Sequence, residues 1–293
     1  MSWIQIKIGC CRADSESIEA TLLATGALSI TFQDAADQPI LEPAVGETPL
    51  WDACLVTGLY TTQIDREYVD AYVKTQHDGI ELSWEKLAEK QWTDIWKQDF
   101  FPLRCGERLW ICPSWRSPPD AYKVNLILDP GMAFGTGSHP TTFMCLQWLD
   151  GQSLSQKTVI DYGCGSGILG IAALLLGASY VIAVDNDPQA LAATRSNAER
   201  NSIPESNLQC YLPHELPKNS SAQVLLANIL AAPLIALAPQ LTAMTTNSGA
   251  LCLSGILNEQ IDTVCAAYSS DFSFYTPKMS ADWAQLHGHK RLT

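Results

Sequence analysis

The chain has no Cys-x-x-Cys pair, no Gly-Lys-Ser/Thr phosphate loop and no surplus of positive charge. Each absence removes a class of function. Without paired cysteines, the usual zinc ribbons and thioredoxin-like redox motifs drop out. The ten cysteines, at 10, 11, 54, 105, 112, 145, 164, 210, 252 and 265, fall mostly within apolar runs. There cysteine behaves as a small hydrophobe. With no secretory signal at the N-terminus, reduced thiols in a cytoplasmic protein are expected. His287 and His289 form an isolated His-x-His, so no metal site is expected. Lys and Arg number 18 against 31 Asp and Glu, a net charge of −13. That balance argues against direct nucleic-acid binding through a basic face and favours a basic partner. Two apolar stretches, 168–184 and 224–241, approach membrane-spanning length, but Gly177 and Ser179 interrupt the first and Asn228, Pro233 and Pro239 the second. No transmembrane segment is expected. The 47% hydrophobic and 17% charged content is that of a globular chain, and 293 residues are enough for two domains.

The most informative segment present is Thr158-Val-Ile-Asp-Tyr-Gly-Cys-Gly-Ser-Gly-Ile-Leu-Gly170, followed by Val181-Ile-Ala-Val-Asp185. A short apolar run, a turn with glycines at 163, 165 and 167, and a longer apolar run read as strand, tight turn and helix. Tyr180 to Val184 is a second buried strand, ending next to an acid. Asp185 then stands where a carboxylate can accept hydrogen bonds from two ribose hydroxyls, which makes this an adenosine half-site.

Gly165, Gly167 and Gly170 also fit the Gly-x-Gly-x-x-Gly of dinucleotide enzymes, a pattern with a high false-positive rate. Asp161 separates the two readings. An acid two residues before the first glycine repels a pyrophosphate but suits a ligand carrying an ammonium group. The pattern therefore points to S-adenosylmethionine ahead of a nicotinamide cofactor.

The first 84 residues read as strand 3–9, helix 15–25 capped by Ser15 or Ser17, strand 27–32, strand 51–60, helix 65–74 and strand 80–84. This βαββαβ order predicts an α+β ferredoxin-like domain. Leu87, Trp92, Ile95, Trp96 and Phe100 recur at roughly helical spacing and predict a linker helix within residues 85–104. From 105 to 293 an α/β domain is expected. Strands at 108–112 and 122–128 precede a doubly wound, mostly parallel sheet with strands 157–161, 180–184, 223–227 and 249–255 and helices 167–176, 188–200, 231–244 and 258–268. Asp187 and Pro188 signpost the start of the second helix. Residues 271–275 and 282–286 have no helix between them, so a reversed C-terminal hairpin closes this Rossmann-like sheet, as in class I methyltransferases.

Two further segments carry chemistry. In Asp129-Pro-Gly-Met-Ala-Phe-Gly-Thr-Gly-Ser-His-Pro-Thr-Thr142, glycines flank Thr136 and Ser138 is expected to cap a helix. Thr141 and Thr142 fall in its first turn, where donors favour a carboxylate or phosphate, or the loop is only a capped turn. His139 reads equally as a general base or a structural histidine. In Leu226-Ala-Asn-Ile-Leu230, Asn228 ends a strand of the same sheet, either facing the ligand crevice or capping the next helix.

Together with Gln98-Asp-Phe-Phe-Pro-Leu-Arg-Cys-Gly-Glu-Arg-Leu-Trp-Ile-Cys-Pro-Ser-Trp115, these segments resemble the PrmA family, which methylates the eleventh protein of the large ribosomal subunit. The resemblance covers nearly the whole chain; Ser138 and Cys105 depart from it. It implies S-adenosylmethionine contacts at Thr142, Gly163, Asp185 and Asn228, to which the residue-level reading adds Asp161, Gly165 and Thr136. It also implies an N-methyltransferase acting on lysine side-chain and N-terminal amines of that ribosomal protein at the large-subunit stalk base. The front module would grip the substrate. A monomer is expected, with Asn228 orienting the amine.

Overall fold

A computed structural model describes residues 3–38, 40–41, 47–87, 100–129, 135 and 137–292. The chain divides into two compact units, Met1–Lys97 and Gln98–Thr293.

The first unit runs β1 (Trp3–Cys11), α1 (Ser15–Ala24), β2 (Ser29–Asp34), β3 (Ala53–Thr61), α2 (Arg66–Gln76) and β4 (Leu82–Leu87). Its antiparallel sheet has the order β2-β3-β1-β4. Strict alternation in β1 sets which side is buried. Ile4, Ile6 and Ile8 are fully buried against Ile18 and Leu22 of α1 and Val69 and Val73 of α2. Each such isoleucine contributes about 1.5–3 kcal/mol. Gln5 and Lys7 point the other way and both meet Glu85. Asp65 caps α2 by accepting from the Tyr68 N–H.

Three expectations need correction here. Asp14, not a serine, occupies the cap position of α1, and the Ser15 hydroxyl turns back to the Arg12 carbonyl at 2.8 Å. The last strand runs to Leu87 because its register on β1 continues from Ile8↔Leu82 to Trp3↔Leu87. Residues 85–87 are therefore strand, and Leu103–Arg104 form a strand at the other end of the expected linker helix. Residues 88–99 of that helix lie outside the described residues.

The second unit opens with a small sheet of β5 (Leu103–Arg104), β6 (Leu109–Cys112) and β7 (Val124–Ile127), followed by α3 (Pro140–Asp150). Then come β8 (Thr158–Tyr162), α4 (Ile168–Leu175), β9 (Tyr180–Val184), α5 (Pro188–Arg200), β10 (Leu208–Tyr211) and β11 (Ala222–Asn228). The chain finishes with α6 (Ala231–Ala236), α7 (Ala238–Met244), β12 (Thr245–Leu257), α8 (Ile261–Tyr268), β13 (Phe272–Phe274), β14 (Lys278–Ser280) and β15 (Trp283–Lys290). The large sheet has the order β10-β9-β8-β11-β12-β15-β13, with β14 also on β15. β8 to β12 are parallel, and β15 is antiparallel to both β12 and β13.

Period-2 alternation builds a core on each face of this sheet. Val159, Val181, Val224 and Leu226 pack with Leu146 of α3 and Ile171 of α4. Ile160, Ile182, Leu225 and Ala227 pack with Leu234, Leu241 and Tyr268 from α6, α7 and α8.

The mixed α/β methyltransferase-like sheet and its reversed end are as expected; four details differ. β10 was not foreseen, being a four-residue edge strand between Pro204 and Pro213. The helix expected over 231–244 breaks at Leu237, because Pro239 cannot donate within a continuous helix. The expected two-strand hairpin is a three-strand arrangement in which β15 is inserted between β12 and β13 and also pairs with β14. Ser138 does not cap α3; His139 holds that position, with Pro140 in the first helical turn.

Candidate active site

The parity that builds the cores also fixes where the site residues point. Asp161, Asp185 and Asn228 share the parity of Val159, Val181 and Leu226, so all three belong to the face covered by α3 and α4. They stand at the carboxyl ends of β8, β9 and β11, where open α/β sheets bind ligands. Asn228 lies one residue beyond the Ala227↔Tyr162 pair, opposite Gly163.

The glycine loop between β8 and α4 is tied down from every side. Gly163 and Cys164 donate to the Val184 carbonyl at 2.7 and 3.0 Å, so the loop crosses the end of β9. Asp185 receives the Gly165 N–H on one carboxylate oxygen at 2.8 Å and the Asp187 N–H on the other at 3.0 Å. The Ser166 hydroxyl donates to the Gly135 carbonyl at 2.8 Å, drawing in the preceding loop. Thr194 and Asn197 of α5 donate to the Gly165 and Ser166 carbonyls at 3.0 and 2.8 Å. The side chains bracing the loop are thus neutral or acidic.

Two glycines shape the Asn228 segment. Gly163 has φ +78°, and a Cβ there would overlap the Ile229 side chain. Gly255 has φ +82°, and a Cβ there would overlap the Ile229 backbone. Asn-Ile-Leu is therefore pinched between them, with a register shift in β12 at the same point. The Asn228 amide donates to the Thr142 hydroxyl at 3.1 Å, while its buried carbonyl oxygen has no hydrogen-bond partner. Helix α6 is capped by Leu230, which removes the reading of Asn228 as a cap.

Asp161 is 1% exposed. One of its oxygens accepts the Gly170 N–H at 2.9 Å, and the other is buried without a partner. Burial pushes its pKa up to about 7; the Gly170 N–H opposes this and the Asp185 charge adds to it. Two unpartnered acceptors, on neighbouring strands and beside a loop braced by neutral and acidic groups, suit a ligand that brings hydrogen-bond donors and positive charge. S-adenosylmethionine, with its ammonium and sulfonium, fits that donor set, and a pyrophosphate does not.

Comparisons with known proteins place the chain as a whole. Residues 2–291 match the family model described as ribosomal protein L11 methyltransferase (PrmA). A protein of Cellvibrio japonicus named ribosomal protein L11 methyltransferase is 52% identical over 288 residues, covering 98% of each chain. A Citrobacter koseri protein of the same name is 48% identical over 295 residues, covering 99% of this chain and all of the other. The chain belongs to the PrmA family. The crystal structure of a ribosomal protein L11 methylase from Lactobacillus delbrueckii subsp. bulgaricus superposes with a TM-score of 0.59 at 30% identity, covering 66% of this chain and 100% of that one.

Of the sequence-predicted site residues of this PrmA-family chain, Thr142, Asp161, Gly163, Gly165, Asp185 and Asn228 come together at the strand ends. Thr136 lies outside the described residues. Ser166, Thr194, Asn197 and Gly255 escaped sequence reasoning. Three of them left a signal. Thr194 and Asn197 are polar residues on the buried side of α5, beside Ala190, Leu191 and Ala198. An isolated glycine in a strand, such as Gly255, also marks a bulge or close backbone approach.

Proposed function

We propose that this chain transfers methyl groups from S-adenosylmethionine to lysine side-chain and N-terminal amines of ribosomal protein L11, at the base of the large-subunit stalk. The observation that carries the reading is the pair of buried, unpartnered acceptors, Asp161 Oδ1 and Asn228 Oδ1, at the ends of adjacent strands. The bound donor would supply a methyl group on a positively charged sulfur. Asp185 and the glycine loop would hold its adenosine part and Asp161 would answer its ammonium charge.

The acceptor nitrogen needs a lone pair to form its bond to the methyl carbon as the carbon–sulfur bond breaks, the electron pair staying with sulfur. A free lysine amine titrates near 10.4, so at neutral pH it arrives protonated. A desolvated crevice disfavours the ammonium, and Asn228 Oδ1 can accept one N–H of the neutral amine and aim its lone pair. Thr142, which accepts from the Asn228 amide, fixes which end of that side chain faces the amine.

The front unit, with β4 running to Leu87, forms the ferredoxin-like grip for the ribosomal protein in this reading, and the unit from Gln98 onward is the catalytic domain. The strand order β2-β3-β1-β4 with two helices supports the first of these. A net charge of −13 favours a basic substrate. The same reading takes the protein as a cytoplasmic monomer. Among the described residues no helix is long and apolar enough to cross a membrane. Calorimetry tests the cofactor directly: S-adenosylhomocysteine should bind and NADH should not, and the opposite order would refute the reading.

A further inference from the structure

The outer edge of the large sheet carries a face opposite in sign to the chain as a whole. β13 and β14 flank β15 in turn, so Ser273 sits opposite His289, Tyr275 donates its N–H to the His287 carbonyl, and Lys278 sits opposite Gln285. Helix α3 borders this face through Trp148, whose ring centroid is 6.3 Å from that of His287, and through Gln147, which accepts from the Lys278 ammonium at 2.5 Å. Tyr275 stacks on His287 with centroids 5.2 Å apart and planes at 27°, and His289 meets the same ring edge-on at 5.8 Å. Tyr275 is still 56% exposed, which leaves much of its ring open to solvent. A cleft of about 260 Å³ lies among Trp148, Gln152, Tyr275, His287 and His289, and no acid lines it. The cations beside it are held by neutral groups: Lys278 by the Gln147 amide, and Arg291 by the Ser273 hydroxyl and the Ser270 carbonyl at 3.1 and 3.3 Å. Asp271, next to Arg291, accepts from the Ser270 hydroxyl, and among the described residues neither cation has an ion-pair partner. Burial lowers the His287 pKa, and the His289 and Lys278 charges lower it further, so rings and cations act on one another.

We propose that this face docks single-stranded RNA, with a base stacked on Tyr275 and phosphates on Lys278 and Arg291. Exposed rings give stacking that tolerates any base, and flanking cations follow the backbone, which is the combination that single strands need. From the residue opposite Lys278 to Arg291 the face runs about 20 Å along β15, long enough for a few nucleotides of an extended strand. An acidic peptide would use the cations and leave the rings idle. A free nucleotide would fill the cleft and leave one of the two end cations idle. The net charge of −13 opposes nucleic acid everywhere else on the chain, so binding is confined to this edge and modest in strength. The inference uses none of the residues assigned to methyl transfer and stands or falls apart from that reading.

The test is fluorescence anisotropy of a labelled oligoadenylate of about six nucleotides with the full-length chain. S-adenosylhomocysteine is kept in excess so that the strand-end site is filled. Wild type should bind, and its affinity should fall about sevenfold between roughly 50 and 200 mM salt, as two phosphate contacts to a single strand require. Tyr275→Ala should weaken binding by about fivefold or more and leave the salt slope unchanged. Lys278→Gln should weaken binding and reduce the slope to about half. Lys74→Gln, on α2 of the front unit, should change neither. Tyr275 and Lys278 are both exposed, so each variant should melt with wild type. Absence of binding by wild type, or equal losses from Lys74→Gln and Lys278→Gln, would overturn the proposal. So would displacement of the RNA by an equal concentration of adenosine monophosphate, which would make the cleft a mononucleotide site, or by oligoglutamate, which would make the face a docking site for acidic protein.

Discussion

Asp161→Asn isolates the charge that the fold buries beneath the glycine loop. In the folded protein the carboxyl pKa is raised to about 7, with burial the largest cause, against an ordinary 3.8. Between those values the folded chain keeps a proton that the unfolded chain has released, so stability falls as pH rises through this window. One proton corresponds to about 1.4 kcal/mol per pH unit, giving roughly 4 kcal/mol over the whole window as an upper bound. Asparagine cannot ionise but still presents an oxygen to the Gly170 N–H. Its buried amide nitrogen carries a constant penalty of about 1–3 kcal/mol. The offset between the two proteins is thus uninformative, and its pH dependence is the signal. Urea unfolding at pH 5, 6, 7 and 8 should show the variant gaining about 2–3 kcal/mol on wild type between the extremes. The same carboxylate, once ionised, should attract the ammonium group of the ligand. Wild-type affinity for S-adenosylhomocysteine should therefore tighten by up to about eightfold from pH 6 to 7.5, and the variant should stay flat. Parallel stability curves would refute the argument that Asp161 is buried as an acid.

Three further outcomes follow from the geometry. Gly163→Ala forces a side chain into a left-handed backbone and onto Ile229, and should cost about 2–4 kcal/mol of stability as well as ligand affinity, read by thermal melting and calorimetry; wild-type values would mean that Ile229 yields freely. Asn228→Ala should reduce single-turnover methylation more than it weakens S-adenosylhomocysteine binding if, as proposed, its carbonyl aims the amine; equal losses would assign it to ligand binding alone. A chain beginning at Lys86 should still bind S-adenosylhomocysteine but lose methylation of ribosomal protein L11 if, as proposed, binding energy from the front module holds each amine in the crevice; full activity without it would refute the grip.

The catalytic unit was legible where local pattern and tertiary outcome coincide. Buried parallel strands leave uninterrupted apolar runs, and the glycine loop, Asp185 and the Asp187-Pro188 helix start each follow from residues close in sequence. What depended on partners distant in the chain was harder to read. Leu87 looks helical by spacing, yet its register against Trp3 makes it strand. The four residues of β10 carry too little pattern to separate strand from loop, and only pairing with β9 defines them. β15 is inserted between β12 and β13, a choice that no local signal in 271–286 encodes. At the site, Asp161 and Asn228 were found by position, but that each would keep a buried oxygen without a partner emerged only from packing. The Thr194 and Asn197 braces sit some thirty residues from the loop they hold, at separations of 29 and 31.

The central claim is amine methylation of ribosomal protein L11 at this site, and transfer of label from methyl-labelled S-adenosylmethionine tests it most directly. With purified ribosomal protein L11 as acceptor, the wild-type chain should place label on lysine side-chain and N-terminal amines, identified by peptide mass mapping, and Asn228→Ala should place far less. Absence of label on that protein, from a chain that binds S-adenosylhomocysteine normally, would contradict the account.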